Sequence, residues 1–193
     1  MDALQREWEA AWPRAVALWS PFAKLSEPRW CRTREEESRE ELTGSFAMIR
    51  LFDHAVVVSL RQVQEKKLER FALEILAHEV GHHIYTPADL TDAGRMLARI
   101  RRALPTLEHQ APMVANLYED LLINDRLKRV HGLLMEQVFL TLGTRSPWSL
   151  WTLYMRIYEI LWALTRGTLV PDPGDPVLEG DAQLGARLIR SYA

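Results

Sequence analysis

The run His78-Glu79-Val80-Gly81-His82 puts two imidazoles four residues apart and a carboxylate beside the first. On a helix, residues four apart sit one turn apart on one face, so both rings can reach one zinc ion. Glu79 can then lean over the open coordination position and take a proton from a water that the ion activates. A four-coordinate ion with one open position needs a third protein ligand from elsewhere in the chain. Residues 111–128 offer two neighbouring carboxylates, Glu119 and Asp120. At about 100° per residue, Asp120 is flanked on the helical wheel by Asn116, Leu117, Ile123, Asn124 and Leu127, an otherwise apolar arc. Glu119 falls beside Ala115 and Arg126, in a narrow polar gap expected to face water. Asp120 is therefore the favoured ligand and Glu119 the alternative.

The chain contains two asparagines, Asn116 and Asn124, four residues before and four after Asp120. All three share a face. Asparagine is a poor mid-helix residue unless its side chain has a task. Hydrogen bonding to a ligand carboxylate or imidazole, as outer partners of metal sites do, would be such a task for Asn116 and Asn124.

This arrangement resembles the zincins, the HExxH metallopeptidases. HEVGHH followed by Pro87, and then NLYEDLLINDRL, is similar to a group of bacterial metallopeptidase domains. In that group the HExxH helix is followed by a helix bearing Asn-x-x-x-Asp-x-x-x-Asn. The resemblance covers about residues 45–128. It implies zinc held by His78, His82 and Asp120, Glu79 as general base, and a peptide or protein substrate. Relatives of the group are often associated with MoxR-type AAA ATPases and von Willebrand A domains, so a partner of either kind is implied. The chain departs from the thermolysin-like pattern, in which the third ligand is Glu with Asp four residues later. Here that register holds Asp120 and Asn124, while Glu119 is followed by Ile123. A second reading keeps the metal-stabilised zincin core but makes the protein a catalytically weak adaptor for an ATPase or von Willebrand A partner.

The elements that must position these residues are mostly helical. Residues 65–85 contain no Pro and one Gly, and from Phe71 onward apolar residues fall on nearly every side of the wheel. That pattern predicts a buried helix, in which two histidines and a glutamate need partners. Residues 44–63 hold two β-rich runs, around Met48-Ile49 and over Ala55–Val58, and predict a two-stranded hairpin or part of a small sheet. Residues 3–19 form an amphipathic helix with Trp8, Trp12 and Trp19, kinked near Pro13. The mixed-charge run 31–42 reads as a solvated helix or mobile loop. Thr86 and Pro87 read as the cap and first residue of a helix ending near Leu104. Residues 132–142 make a short helix closed by Gly143, and Ser146-Pro147 opens another closed by Gly167. Its aromatics Trp148, Trp151, Tyr154, Tyr158 and Trp162 form a stripe read as core. Residues 169–180 read as a loop before a short terminal helix.

The expected fold is thus α+β, mainly α, and zincin-like. A small β-hairpin or sheet packs on the HExxH helix, with a further helical bundle. One domain spans 1–193, with an N-terminal helical region at 1–43, a zincin core at 44–128 and a C-terminal helical region at 129–193. Formal charge is −2, which gives no bulk attraction to nucleic acid or an anionic membrane. Cys31 is the single cysteine, so neither an intrachain disulfide nor a thiolate cluster is expected. The charged start lacks the apolar core of a signal peptide, and no run approaches a membrane span, which predicts a cytoplasmic protein. Tyr85, His83, Tyr118, Arg126 and His131 are candidate oxyanion donors. His54 and His109 carry no motif.

Overall fold

A computed structural model describes residues 1–143 and 149–192. It is mainly helical with one small sheet, and it divides into two compact units, Met1–Glu119 and Asp120–Ala193.

The first unit is built around a three-stranded sheet and a buried helix. In chain order it contains α1 (Asp2–Trp19), β1 (Arg29–Cys31), α2 (Arg34–Arg39), β2 (Ala47–Arg50), β3 (Ala55–Ser59), α3 (Leu60–Glu65), α4 (Ala72–Ile84) and α5 (Leu90–Ala103). It also holds the first half of α6 (Ala111–His131). The strand order is β1-β3-β2. The predicted hairpin is present as β2 and β3, antiparallel, with Met48 opposite Val57 and Ile49 opposite Val56. All five residues of β3 are buried, as expected of a central strand that reads as a continuous apolar run. The third strand, β1, lies parallel to β3 with Trp30 opposite Val58. Three residues are too few to show a period of two, so β1 was not legible in the sequence.

The charged run after β1 forms a largely exposed helix, as expected, with the exception of Glu37. Thr33 and Glu36 close a capping box that starts α2. Glu37 is buried, and its carboxylate accepts bonds from Arg61 Nε at 3.1 Å, Arg61 Nη2 at 2.8 Å and the Ser59 hydroxyl. Ser59 in turn caps α3 by accepting from Gln62 N–H at 3.1 Å. One carboxylate thus ties α2 to the end of the central strand. These bonds hold Glu37 below the usual carboxylate range, against the opposing push of its own burial.

The helix predicted over 65–85 is shorter. Lys67 takes a left-handed conformation with φ 58°, which ends α3, and a 3-10 turn over Glu69–Phe71 leads into α4. The charged stretch 65–70 is that connection, while α4 starts where the apolar run starts. The tryptophans of α1 explain how α4 is held. Trp8 is fully buried and its indole donates to the Glu69 carbonyl at 3.0 Å. Trp19 donates to the Ala77 carbonyl at 2.7 Å and stacks on Tyr85 with centroids 5.6 Å apart. The α1 helix runs through Pro13 as one element. The cap of α5 is Asp89 instead of Thr86. Its carboxylate accepts the N–H groups of Thr91 and Asp92 at 2.7 and 2.9 Å, and the Thr86–Pro87 bond is cis.

The second unit contains the rest of α6, then α7 (Met135–Leu142), α8 (Ser149–Leu161) and α9 (Pro176–Ser191). Gly143 closes α7 in the left-handed region, as predicted. The helix start at Ser146-Pro147, and Trp148, lie outside the described residues. α8 ends at Leu161, well before Gly167, because Ala163 is left-handed at φ 52°. The carboxylate of Glu159, 1% exposed, accepts the N–H groups of Gly167 and Leu169 and so organises the turn that follows. Tyr154, Tyr158 and Trp162 are core, as the stripe predicted, with Phe139 of α7 5.1 Å from the Tyr158 ring. α9 begins at Pro176, inside the stretch expected to be loop, because Asp175 accepts from Val177 N–H at 2.8 Å and caps it. Arg156 joins α8 to α9 through Glu179, with Nε at 2.8 Å. Among the described residues no helix is long and apolar enough to cross a membrane.

Candidate metal centre

α4 carries the histidine pair on a helix enclosed by its own unit. Phe71, Ala72, Ile75, Leu76, Ala77 and Val80 are buried, and α1 and β2 pack on it. His78 is half-buried, while Glu79 and His82 are buried. The two Nε2 atoms face each other at 3.3 Å, and the ring planes are nearly perpendicular at 85°. That separation bears on metal fit. Two nitrogens on one tetrahedral zinc, each at about 2.0–2.1 Å, stand roughly 3.3–3.4 Å apart. The helix therefore sets the rings at the spacing that a shared ion demands.

α6 carries the two candidate carboxylates. His78 and His82 belong to the first unit, and Asp120 opens the second. Two imidazoles and one carboxylate suit zinc by ligand type. Glu119 departs from expectation. It was placed in a gap facing water, yet it is 8% exposed, and its Oε2 lies 3.6 Å from His82 Nδ1. The wheel failed because it assumed one wet side. Residues 121–125 are buried at five successive positions, so α6 is enclosed around most of its circumference. Glu119 thus stands at the ring nitrogen opposite to the one that faces His78. A carboxylate on that side favours the tautomer with Nδ1 protonated, leaving Nε2 as the metal-binding lone pair.

The two asparagines part company. Asn116 is exposed, whereas Asn124 is 3% exposed and donates from Nδ2 to the Tyr158 hydroxyl at 2.8 Å. Tyr158 donates to the Asp120 carbonyl at 2.9 Å, and the Tyr154 hydroxyl lies 2.9 Å from that of Tyr158 and 3.4 Å from Asp120 Oδ2. Burial raises both phenols well above their usual range. Tyr158 and then Asp120 add to the rise at Tyr154, and Asp120 adds to it at Tyr158. The sequence reading took these tyrosines for core alone. The usable signal was Tyr in place of Phe at two positions on a buried stripe, since a buried hydroxyl seeks a partner.

The oxyanion candidates are placed as follows. His83 stacks on exposed His54 with centroids 4.0 Å apart; burial first, and then His54, lower its pKa. Tyr85 is occupied by its stack on Trp19. Tyr118 and Arg126 are half-buried. Burial and then Arg126 lower the pKa of His131. His109 is exposed beside Gln110. Comparison with protein-family models, with curated proteins and with solved structures gives no match for the chain.

Proposed function

We propose that the chain is a zinc-dependent metallopeptidase of the zincin kind, with His78, His82 and Asp120 as ligands and Glu79 as general base. The observation that carries this reading is the 3.3 Å approach of the two Nε2 atoms on one face of α4. Two neutral imidazoles gain at most one hydrogen bond from that contact, and a shared cation uses both lone pairs. Zinc at this place would supply Lewis acidity and lower the pKa of water from about 16 toward about 7. Glu79, one residue after the first histidine and itself buried, accepts that proton, holds it, and returns it to the departing amine. Burial keeps bulk water from competing for the exchange. The sheet suits an extended substrate. β2 is an edge strand that packs on α4, and its outer side would be where main-chain groups meet a peptide next to the histidine helix.

The test is elemental analysis of the purified chain together with turnover of a mixed peptide library. One zinc per chain, cleavage by the wild type, and retained zinc with no cleavage in Glu79→Gln support the proposal. Absence of zinc after incubation with the ion overturns it. Stoichiometric zinc without cleavage of any peptide favours the adaptor reading, with an ATPase or von Willebrand A partner.

A further inference from the structure

The geometry points to Tyr154 as a positioning residue for the Asp120 carboxylate, held to that task by a hydrogen-bond ring that closes through Tyr158 on the Asp120 carbonyl, with Asn124 donating to Tyr158. This rests on the metallopeptidase reading above and adds to it the residues that aim its third ligand.

The ring is explicit. Asn124 Nδ2 donates to the Tyr158 hydroxyl at 2.8 Å. Tyr158 uses its one proton on the main-chain carbonyl of Asp120 at 2.9 Å. Its oxygen then serves as acceptor for the Tyr154 hydroxyl at 2.9 Å. Tyr154 shares its proton with Asp120 Oδ2 at 3.4 Å. Asp120 is thus contacted at both its backbone and its side chain by two phenols one helical turn apart on α8. Tyr154, Tyr158 and Asn124 are all at most 3% exposed, so no water competes for these bonds.

The proton count selects Tyr154. Two phenol protons serve three oxygen acceptors, namely the Asp120 carbonyl, the Tyr158 oxygen and Asp120 Oδ2. Tyr158 has spent its proton on the carbonyl, so the only phenol proton that can reach the carboxylate belongs to Tyr154. At 3.4 Å that bond is long, and it is the one contact in the ring with room to shorten. A cation drawing on the Asp120 carboxylate fixes its orientation, and outer donors of this kind hold ligand carboxylates in place. Phenylalanine at 154 keeps the ring and its packing on Tyr158 and Trp151 but removes the donor.

The experiment compares wild type, Tyr154→Phe and Tyr158→Phe. Zinc affinity is measured by competition with a chromophoric chelator, and the visible spectrum is recorded for the cobalt-loaded chain. Expected is a loss of zinc affinity of about 10–100-fold in Tyr154→Phe, with a shifted cobalt band and an unchanged far-ultraviolet spectrum. Tyr158→Phe is expected to lose less, because Tyr154 keeps its own hydroxyl. If Tyr154→Phe fails to fold, fluorotyrosine at position 154, which keeps the hydroxyl but changes its donor strength, is compared instead, and wild-type affinity with a wild-type cobalt band overturns the inference. A wild type that binds zinc, with a Tyr154→Phe chain matching it within twofold and showing the same band, overturns this inference alone. A wild type that takes up neither zinc nor cobalt overturns the metallopeptidase reading, and this inference falls with it.

Discussion

The histidine half and the carboxylate half of the proposed donor set are fixed by different means. His78 and His82 approach to 3.3 Å because residues four apart on α4 lie one above the other on one face. Asp120 takes hydrogen bonds from another helix. Its aim comes from tyrosines on α8, brought to it by the folding of its own unit. Local spacing needs only a helix, whereas a tertiary cradle needs the core behind it. The histidine half should therefore respond sharply to loss of a ligand or of the packed helix that spaces the rings. The carboxylate half should respond to changes in side chains that never touch the ion.

The strongest way to break this comparison is to remove a histidine. His78→Ala or His82→Ala should abolish stoichiometric zinc, read by elemental analysis, since either leaves at most two protein ligands. Next come the adjacent carboxylates. Asp120→Ala should weaken zinc by more than about 100-fold, while Glu119→Gln should cost about 10–100-fold by freeing the His82 tautomer. Chelator competition ranks the two, and a larger loss at Glu119 would reverse the ligand assignment. Trp8→Ala should destabilise the first unit by about 3–5 kcal/mol in denaturant titration, because it empties a fully buried aromatic site and strands the Glu69 carbonyl. Acid should act on the second unit. Arg156, hydrogen-bonded to Glu179, pulls that carboxyl from 4.5 down to about 2. A depressed carboxyl contributes stability that is fully present above the unfolded value, so its share fades as pH falls from about 4.5 toward about 2. Glu179→Gln should flatten that part of the pH-dependence of thermal melting. The smallest effect belongs to exposed Asn116, whose change to Ala should leave zinc affinity within about twofold.

What was legible in the sequence follows the same division. The histidine pair, its buried helix, the hairpin and the aromatic core of α8 all rest on periodicities that local spacing displays. The failures came where long-range packing overrode local pattern. Glu37 lies in a run of charges that reads as wet, yet Arg61 and Ser59 draw it inside from a distant strand end. Glu119 looked solvated because a wheel shows one helix and not what surrounds it. The shortened start of α4 turned on a left-handed Lys67, a conformation that nothing about lysine foretells. Asn124 was singled out by its rarity, and it is buried with its Nδ2 donating to the Tyr158 hydroxyl.

The bond from the Trp19 indole to the Ala77 carbonyl reaches across 58 positions to the residue just before the first histidine. During translation the platform that α4 docks against is already synthesised when the histidines leave the ribosome. Deletions or fusions that disturb α1 should therefore act as defects in ion capture, although no residue of that helix is a donor.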